Sequence, residues 1–228
     1  MDSELAIAQA KKYAEELSLL YEQERTQRRA AEEAYAQLAE SYGTTVRALA
    51  AALELRDDAT GGHAERVTRS ALSLARVVDP DLAANPELEY GFLLHDIGKI
   101  GVPDAILLKP GPLSAKERET MRDHPILGEK VIARVPYLRG IARQVVAAHH
   151  ERWDGTGYPR RLRGHQIPVA ARIFAVIDAF DAMTNDRPYR AAMKFDAALA
   201  EIERGAGTQF QPEIVEAFLS LAEFSTAA

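Results

Sequence analysis

The sequence contains no cysteine, which excludes disulfides, thiolate metal sites and cysteine nucleophiles. Any metal would have to be held by imidazole and carboxylate. No apolar run approaches the roughly 20 residues of a membrane span, and the first residues show no signal-peptide pattern. The expectation is a soluble, cytoplasmic chain with no membrane attachment. Positive charge is also in deficit: 28 Lys and Arg against 34 Asp and Glu leave a formal net charge of −6. That argues against a broad nucleic-acid surface. It still admits an anionic substrate, because bound dications can supply positive charge locally. There is no alternating β pattern of useful length, and no proline between residues 3 and 56.

What remains is an ordinary globular composition, 47% hydrophobic and 27% charged over 228 residues, with helical periodicity almost everywhere. Residues 3–56 are rich in Ala, Glu, Gln, Leu and Arg, all good helix formers. Ile7, Ala14, Tyr21, Arg28, Tyr35, Tyr42 and Leu49 fall at one heptad position, and Ala10, Leu17, Glu24, Ala31, Leu38, Thr45 and Ala52 at another. Such spacing favours a dimerising coiled coil; a solvated single helix or an arm folded on its own domain is the alternative. Gly43 costs a helix about 1 kcal/mol, which suggests a kink or boundary there. We therefore divide the chain into an N-terminal helix, 1–43, and an all-α domain, 44–228.

Within that domain the helical pattern of Val67, Ala71, Leu74 and Val78 stops at Asp79 and Pro80. Asn85 and Pro86 open a helix expected to carry His95 and Asp96, with Lys99 sharing the face of His95 and Asp96 about 100° round. Ser114 with Glu117 makes a capping box. His124 and Pro125 begin another helix, and an apolar helix ends in His149 and His150. A Gly-, Pro- and Arg-rich loop runs from Glu151 to Pro168, and a nearly apolar helix from Ala170 to Met183 contains Asp178 and Asp181. Two amphipathic helices close the chain.

A single histidine is more often a satisfied polar residue than a ligand, and His165 is read that way. The others fall at turns and helix ends. Asp178 lies among Ile173, Phe174, Val176 and Ile177, where an unpaired carboxylate would be costly. A metal removes that cost, as would pairing with Arg172 or Arg187. His63, His95, Asp96, His124, His149, His150 and Asp178 make seven candidate ligands. That is too many for one open ion, and enough for two ions about 3.5–4 Å apart. Nitrogen and oxygen donors suit Fe or Mn, with Zn, Co or Ni as alternatives.

These residues resemble the HD-GYP family, the cyclic di-GMP phosphodiesterase branch of the HD metal-dependent phosphohydrolases. The resemblance spans about 45–220 and rests on Gly62 and His63, His95 to Lys99, His124 and Pro125, His149 to Glu151, Gly157 to Pro159, Asp178, and Arg187 to Arg190. It implies an HD-type helical bundle behind the long N-terminal helix. It implies His63, His95, Asp96 and Asp178 at one ion and His124, His149 and His150 at a second, bridged by Asp96. The implied reaction is hydrolysis of cyclic di-GMP to pGpG and/or GMP by a metal-bridging hydroxide. Lys99 would stand beside the hydroxide and the scissile phosphate, although a surface salt bridge is its plainer role. Tyr158 would border the substrate, and Arg187 and Arg190 would contact phosphate unless they form a solvated helix start.

Arg66, Asp181 and Glu151 suit outer positions that hold an imidazole tautomer, with plain salt pairing as the alternative. Some relatives carry a glutamate for a third metal where this chain has Ala59, so two ions are expected. Arg161 stands where a glycine is common, and Gln211 where aspartate is. The arginines at 160, 161 and 163 beside Trp153 fit a dinucleotide or a partner protein better than nucleic acid. Alternatives to the leading reading are a phosphohydrolase for another nucleotide, or a module that binds cyclic di-GMP with little turnover. An upstream sensor, a homodimer through the N-terminal helix and a partner at the loop are the expected regulatory contacts.

Overall fold

The computed structural model describes residues 2–57, 62–186 and 191–226, and among them it is helical, with one isolated bridge between Ala206 and Phe210 and no sheet. The helices are α1 (Asp2–Asp57), α2 (His63–Val78), α3 (Pro80–Ala83), α4 (Pro86–Leu93), α5 (Asp104–Leu107), α6 (Ala115–Arg122), α7 (His124–Ile132), α8 (Ile141–Ala148), α9 (Val169–Thr184), α10 (Phe195–Arg204) and α11 (Pro212–Thr226). The chain forms two compact units, Met1–Thr45 and Val46–Ala228. Helical hydrogen bonding runs through Gly43 rather than stopping there. The good helix formers on both sides outweigh a single glycine's cost of about 1 kcal/mol.

The second unit is built on one apolar core. Val67, Ala71, Leu74 and Ala75 repeat at helical spacing along α2 and bury that face completely. They meet Leu88 and Phe92 of α4, Val145 of α8, Ile173, Phe174 and Ile177 of α9, Ile202 of α10, and Ile214 and Phe218 of α11. Phe92 and Phe174 stack with ring centroids 5.1 Å apart, joining α4 to α9 beneath the polar residues that follow. Local chemistry sets the helix starts. Asn85 accepts the Glu87 N–H with Pro86 in the first turn of α4. Ser114 and Glu117 form both halves of a capping box on α6.

One expected helix ends early. α4 stops at Leu93, and His95 and Asp96 lie between it and a 3-10 turn, Ile97–Gly101. The reason is close packing against α7. A β-carbon on Gly98 would sit 1.8 Å from the His124 carbonyl oxygen and 2.4 Å from the Gly128 nitrogen. With three residues per turn, positions three apart eclipse, so Asp96 faces Lys99 rather than standing apart from a His95–Lys99 face. Nζ of Lys99 lies 2.8 Å from the Asp96 carboxylate.

Candidate metal centre

The turn after α4 places Asp96 between two groups of imidazoles. One carboxylate oxygen is 3.2 Å from Nε2 of His95; the other is 3.1 Å from Nε2 of His124 and 3.7 Å from Nε2 of His149. His124 opens α7, and His149 ends α8 with His150 beside it. Asp96, His124, His149 and His150 form one group whose donor atoms all lie within 4.8 Å of one another. His63, the first residue of α2, joins His95 and Asp178 of α9 in a second such group. Nε2 of His63 is 3.5 Å from the Asp178 carboxylate. Seven donors from five parts of the chain thus meet above the Phe92–Phe174 stack.

Four of the five imidazoles, those of His63, His95, His124 and His149, are held in a common tautomer. Nδ1 of His95, His124 and His149 donates to the carbonyls of Phe92, Met121 and Val146 at 2.8, 2.8 and 3.0 Å. A carbonyl only accepts, so each Nδ1 carries a proton and, when the ring is neutral, Nε2 keeps its lone pair. Nδ1 of His63 donates to Asp181 at 2.7 Å, and Asp181 also accepts from Arg66 and Asn185. These are the outer contacts that fix ring orientation in metal sites. His124 and His149 then present lone pairs to each other across 3.2 Å. Two buried lone pairs so close repel unless a cation or a proton stands with them. This donor set fits divalent metal.

Electrostatics act in the same direction. Burial opposes ionisation of Asp96, but the charges of Lys99 and His95 outweigh it and hold the carboxyl well below its usual range. Burial holds His149 below the ordinary histidine value, and burial together with His149 holds His150 well below it. Burial also disfavours protonated His95, yet the Asp96 charge prevails and its value is raised. The centre is therefore a carboxylate ringed by imidazoles, two of them held neutral and available as ligands.

Tyr158 closes one side. Its ring lies 4.7 Å from His150 at 30°, and the Arg122 guanidinium sits over it at 5.2 Å. The loop is drawn in by its backbone. Tyr158 N–H donates to the His150 carbonyl, and a β-carbon on Gly157 would lie 2.3 Å from the Arg152 nitrogen. Glu151 serves this loop: its buried carboxylate accepts from the Arg160 N–H at 2.7 Å and the Leu162 N–H at 3.0 Å. That corrects the expectation that it would hold an imidazole, since at the end of α8 its side chain turns away from the rings toward unpaired loop amides. Arg161 has φ 55, in the left-handed region that glycine favours.

Arg172 is not the partner of Asp178; it donates to the Ile167 carbonyl and to Gln211. Arg187, Arg190 and Ala59 lie outside the described residues. Arg122 and Phe174, whose ring centroid is 4.7 Å from that of His95, border the centre without having been singled out. Phe174 carries the same periodic signal as its core neighbours. Arg122 stands two residues before His124, which is its one sequence mark.

The HD domain family model matches residues 47–214. A cyclic di-GMP phosphodiesterase of Thermotoga maritima is 43% identical over 170 residues, covering 74% of this chain and 46% of that protein. The 3'3'-cGAMP-specific phosphodiesterase 3 of Vibrio cholerae is 42% identical over 154 residues, covering 68% and 33%. The crystal structure of a cyclic GMP-AMP-specific phosphodiesterase from the same organism has TM-score 0.60 at 21% identity, over 78% of this chain and 48% of that one. The chain thus spans less than half the length of these relatives, and it shares its all-α fold with that structure.

Proposed function

Because the chain belongs to the HD domain family and carries the residue pattern of its HD-GYP branch, we propose that it is a metal-dependent phosphodiesterase converting cyclic di-GMP to pGpG and/or GMP. The observation that carries this reading is Asp96, one oxygen toward His95 and the other toward His124 and His149. A carboxylate so placed can be shared by two ions. His63, His95, Asp96 and Asp178 would hold one, and Asp96, His124, His149 and His150 the other. With nitrogen and oxygen donors alone, Fe or Mn is the first choice, and Zn, Co or Ni can also be accepted.

Divalent ions here supply Lewis acidity and an acidified water. The chain's own groups do the rest. Backbone carbonyls and Asp181 keep one imidazole proton on Nδ1 of His95, His124, His149 and His63, so Nε2 is the nitrogen each ring turns toward an ion. Lys99, beside Asp96, presents its ammonium to a phosphoryl oxygen, where negative charge grows in the transition state. Tyr158 with Arg122 over it walls the side at His150, and its phenol stays protonated because burial and the Asp96 charge raise its value. Arg187 and Arg190 are assigned to the non-reacting phosphate.

Metal-free chain reloaded with Mn2+ or Fe2+ should release pGpG or GMP from cyclic di-GMP, read by anion-exchange chromatography. His95→Ala should abolish release. Turnover by that variant at the wild-type rate rejects the assignment. The cGAMP-specific relative favours a second reading, the mixed GMP-AMP ring as substrate. Parallel assays with the two rings at equal concentration decide between them.

α1 enters this proposal as a dimerisation and signalling helix of a cytoplasmic enzyme. Ile7, Leu17, Tyr21, Tyr35 and Leu38 are each 66–70% exposed, which leaves an apolar stripe for a second copy to cover. The loop after Tyr158 is assigned to a partner protein or an upstream sensor.

A further inference from the structure

The last turns of α1 reach both ends of the metal centre through Glu54 and Arg56. Glu54 accepts the Gly62 N–H at 2.8 Å and the Ala64 N–H, the amides on either side of His63. α2 begins at His63 with a left-handed glycine before it and no side-chain cap of its own. A carboxylate from another helix therefore satisfies its unpaired amides and favours its positive end. Two residues later, Arg56 donates to the Lys99 carbonyl at 3.0 Å and the Val102 carbonyl at 2.7 Å, and pairs with Asp104 at 2.6 Å. Those carbonyls close the 3-10 turn that leaves Asp96, so Arg56 caps the segment that sets Asp96 against Lys99.

We propose that Glu54 and Arg56 are positioning residues for the hydrolysis, Glu54 through His63 and Arg56 through Lys99. The inference rests on the phosphodiesterase reading and assigns the end of α1 as the point where a change in that helix meets the chemistry. Global stability does not depend mainly on either contact. α2 is anchored further along by Val67, Ala71 and Leu74, so loss of Glu54 frays its first turn, which is where His63 sits. The turn at Asp96 retains its own Lys99 N–H to Asp96 carbonyl bond at 2.9 Å, so loss of Arg56 frees its far end without unfolding it.

The test compares the full chain with Glu54→Gln and Arg56→Met by Mn2+ titration calorimetry on metal-free protein, thermal unfolding, and kinetics with cyclic di-GMP. Glu54→Gln should weaken one class of Mn2+ site by about 10–100-fold, as outer contacts to ligands do, with kcat recovering as Mn2+ is raised. Arg56→Met should lower kcat about tenfold at saturating Mn2+ with KM unchanged. Wild-type Mn2+ affinity in Glu54→Gln, or wild-type kcat in Arg56→Met, overturns the proposal even if the melting temperature falls. Should either variant fail to fold, Glu54→Asp or Arg56→Lys is judged by the same readouts. Wild-type chain that binds Mn2+ but leaves cyclic di-GMP and the mixed ring intact rejects the phosphodiesterase reading alone, and the Glu54→Gln affinity then decides this one.

Discussion

Nε2 of His124 and Nε2 of His149 stand 3.2 Å apart, on rings whose Nδ1 protons are committed to the Met121 and Val146 carbonyls. The fold pays for this pair of opposed lone pairs whenever no cation is present. Binding should therefore stabilise the folded chain by mass action, about 2.7 kcal/mol at a free ion concentration 100 times Kd. For a unit of this size that is roughly 5–10 °C in Tm. Chelator-treated chain should melt lower than chain with Mn2+ restored, in a fluorescence melt at fixed pH. Equal melting temperatures would show that the donors hold no metal.

How far this centre was legible in the sequence depends on the kind of signal. The donors are marked by chemical type, and the fold gathers His63, His95 and Asp178, and Asp96, His124, His149 and His150, into two groups. The backbone beneath them was less legible. Phe92 to Ile97 continues the apolar pattern of α4, and nothing local says that the helix ends; the stop comes from α7 pressing on Gly98. Adjacency misled at Glu151, which follows two histidines yet bonds the loop. Glu54 and Arg56 lie in a run of charged helix formers, where one glutamate resembles the next. Only the tertiary partners distinguish them.

Gly98→Ala tests the contact that ends α4. Its β-carbon would meet backbone atoms of His124 and Gly128, which cannot rotate away as a side chain could. Overpacking ordinarily costs 1–3 kcal/mol, and collision with backbone should reach at least about 3 kcal/mol. Urea unfolding measures it. A variant with wild-type stability would show that α7 yields easily at this point, and His124 with it.

Arg161→Gly should run the other way. A non-glycine residue in the left-handed region carries about 1–2 kcal/mol of steric cost. Glycine removes that cost but adds unfolded-state freedom worth about 0.4–1 kcal/mol. The expected net is a gain of roughly 0.5–1 kcal/mol in urea unfolding. The same variant should keep its Mn2+ affinity, because no metal donor lies on this loop. A loss of stability would mean that the arginine side chain makes a contact worth more than the strain.

Glu129 gives the clearest pH dependence away from the metal donors. It sits on α7 and joins Arg143 at 2.8 Å on α8 to Arg160 in the loop. Burial opposes its ionisation, but Arg160 and Arg143 outweigh that and lower its value from the ordinary 4.5. A carboxylate lowered in the folded state contributes stability that is fully present above the unfolded value and is lost as pH falls through the folded one. Glu129→Gln should therefore be less stable than wild type at pH 7, by about 1–2 kcal/mol for a half-buried pair of ion contacts. The gap should begin to narrow below about pH 4.5 and be nearly gone once wild-type Glu129 is itself protonated. Urea unfolding of both proteins at pH 7, 4.5 and 3 reads the difference directly. A gap that stays constant with pH would assign the loss to side-chain packing, and the charge on Glu129 would then have no part in holding the loop to α7.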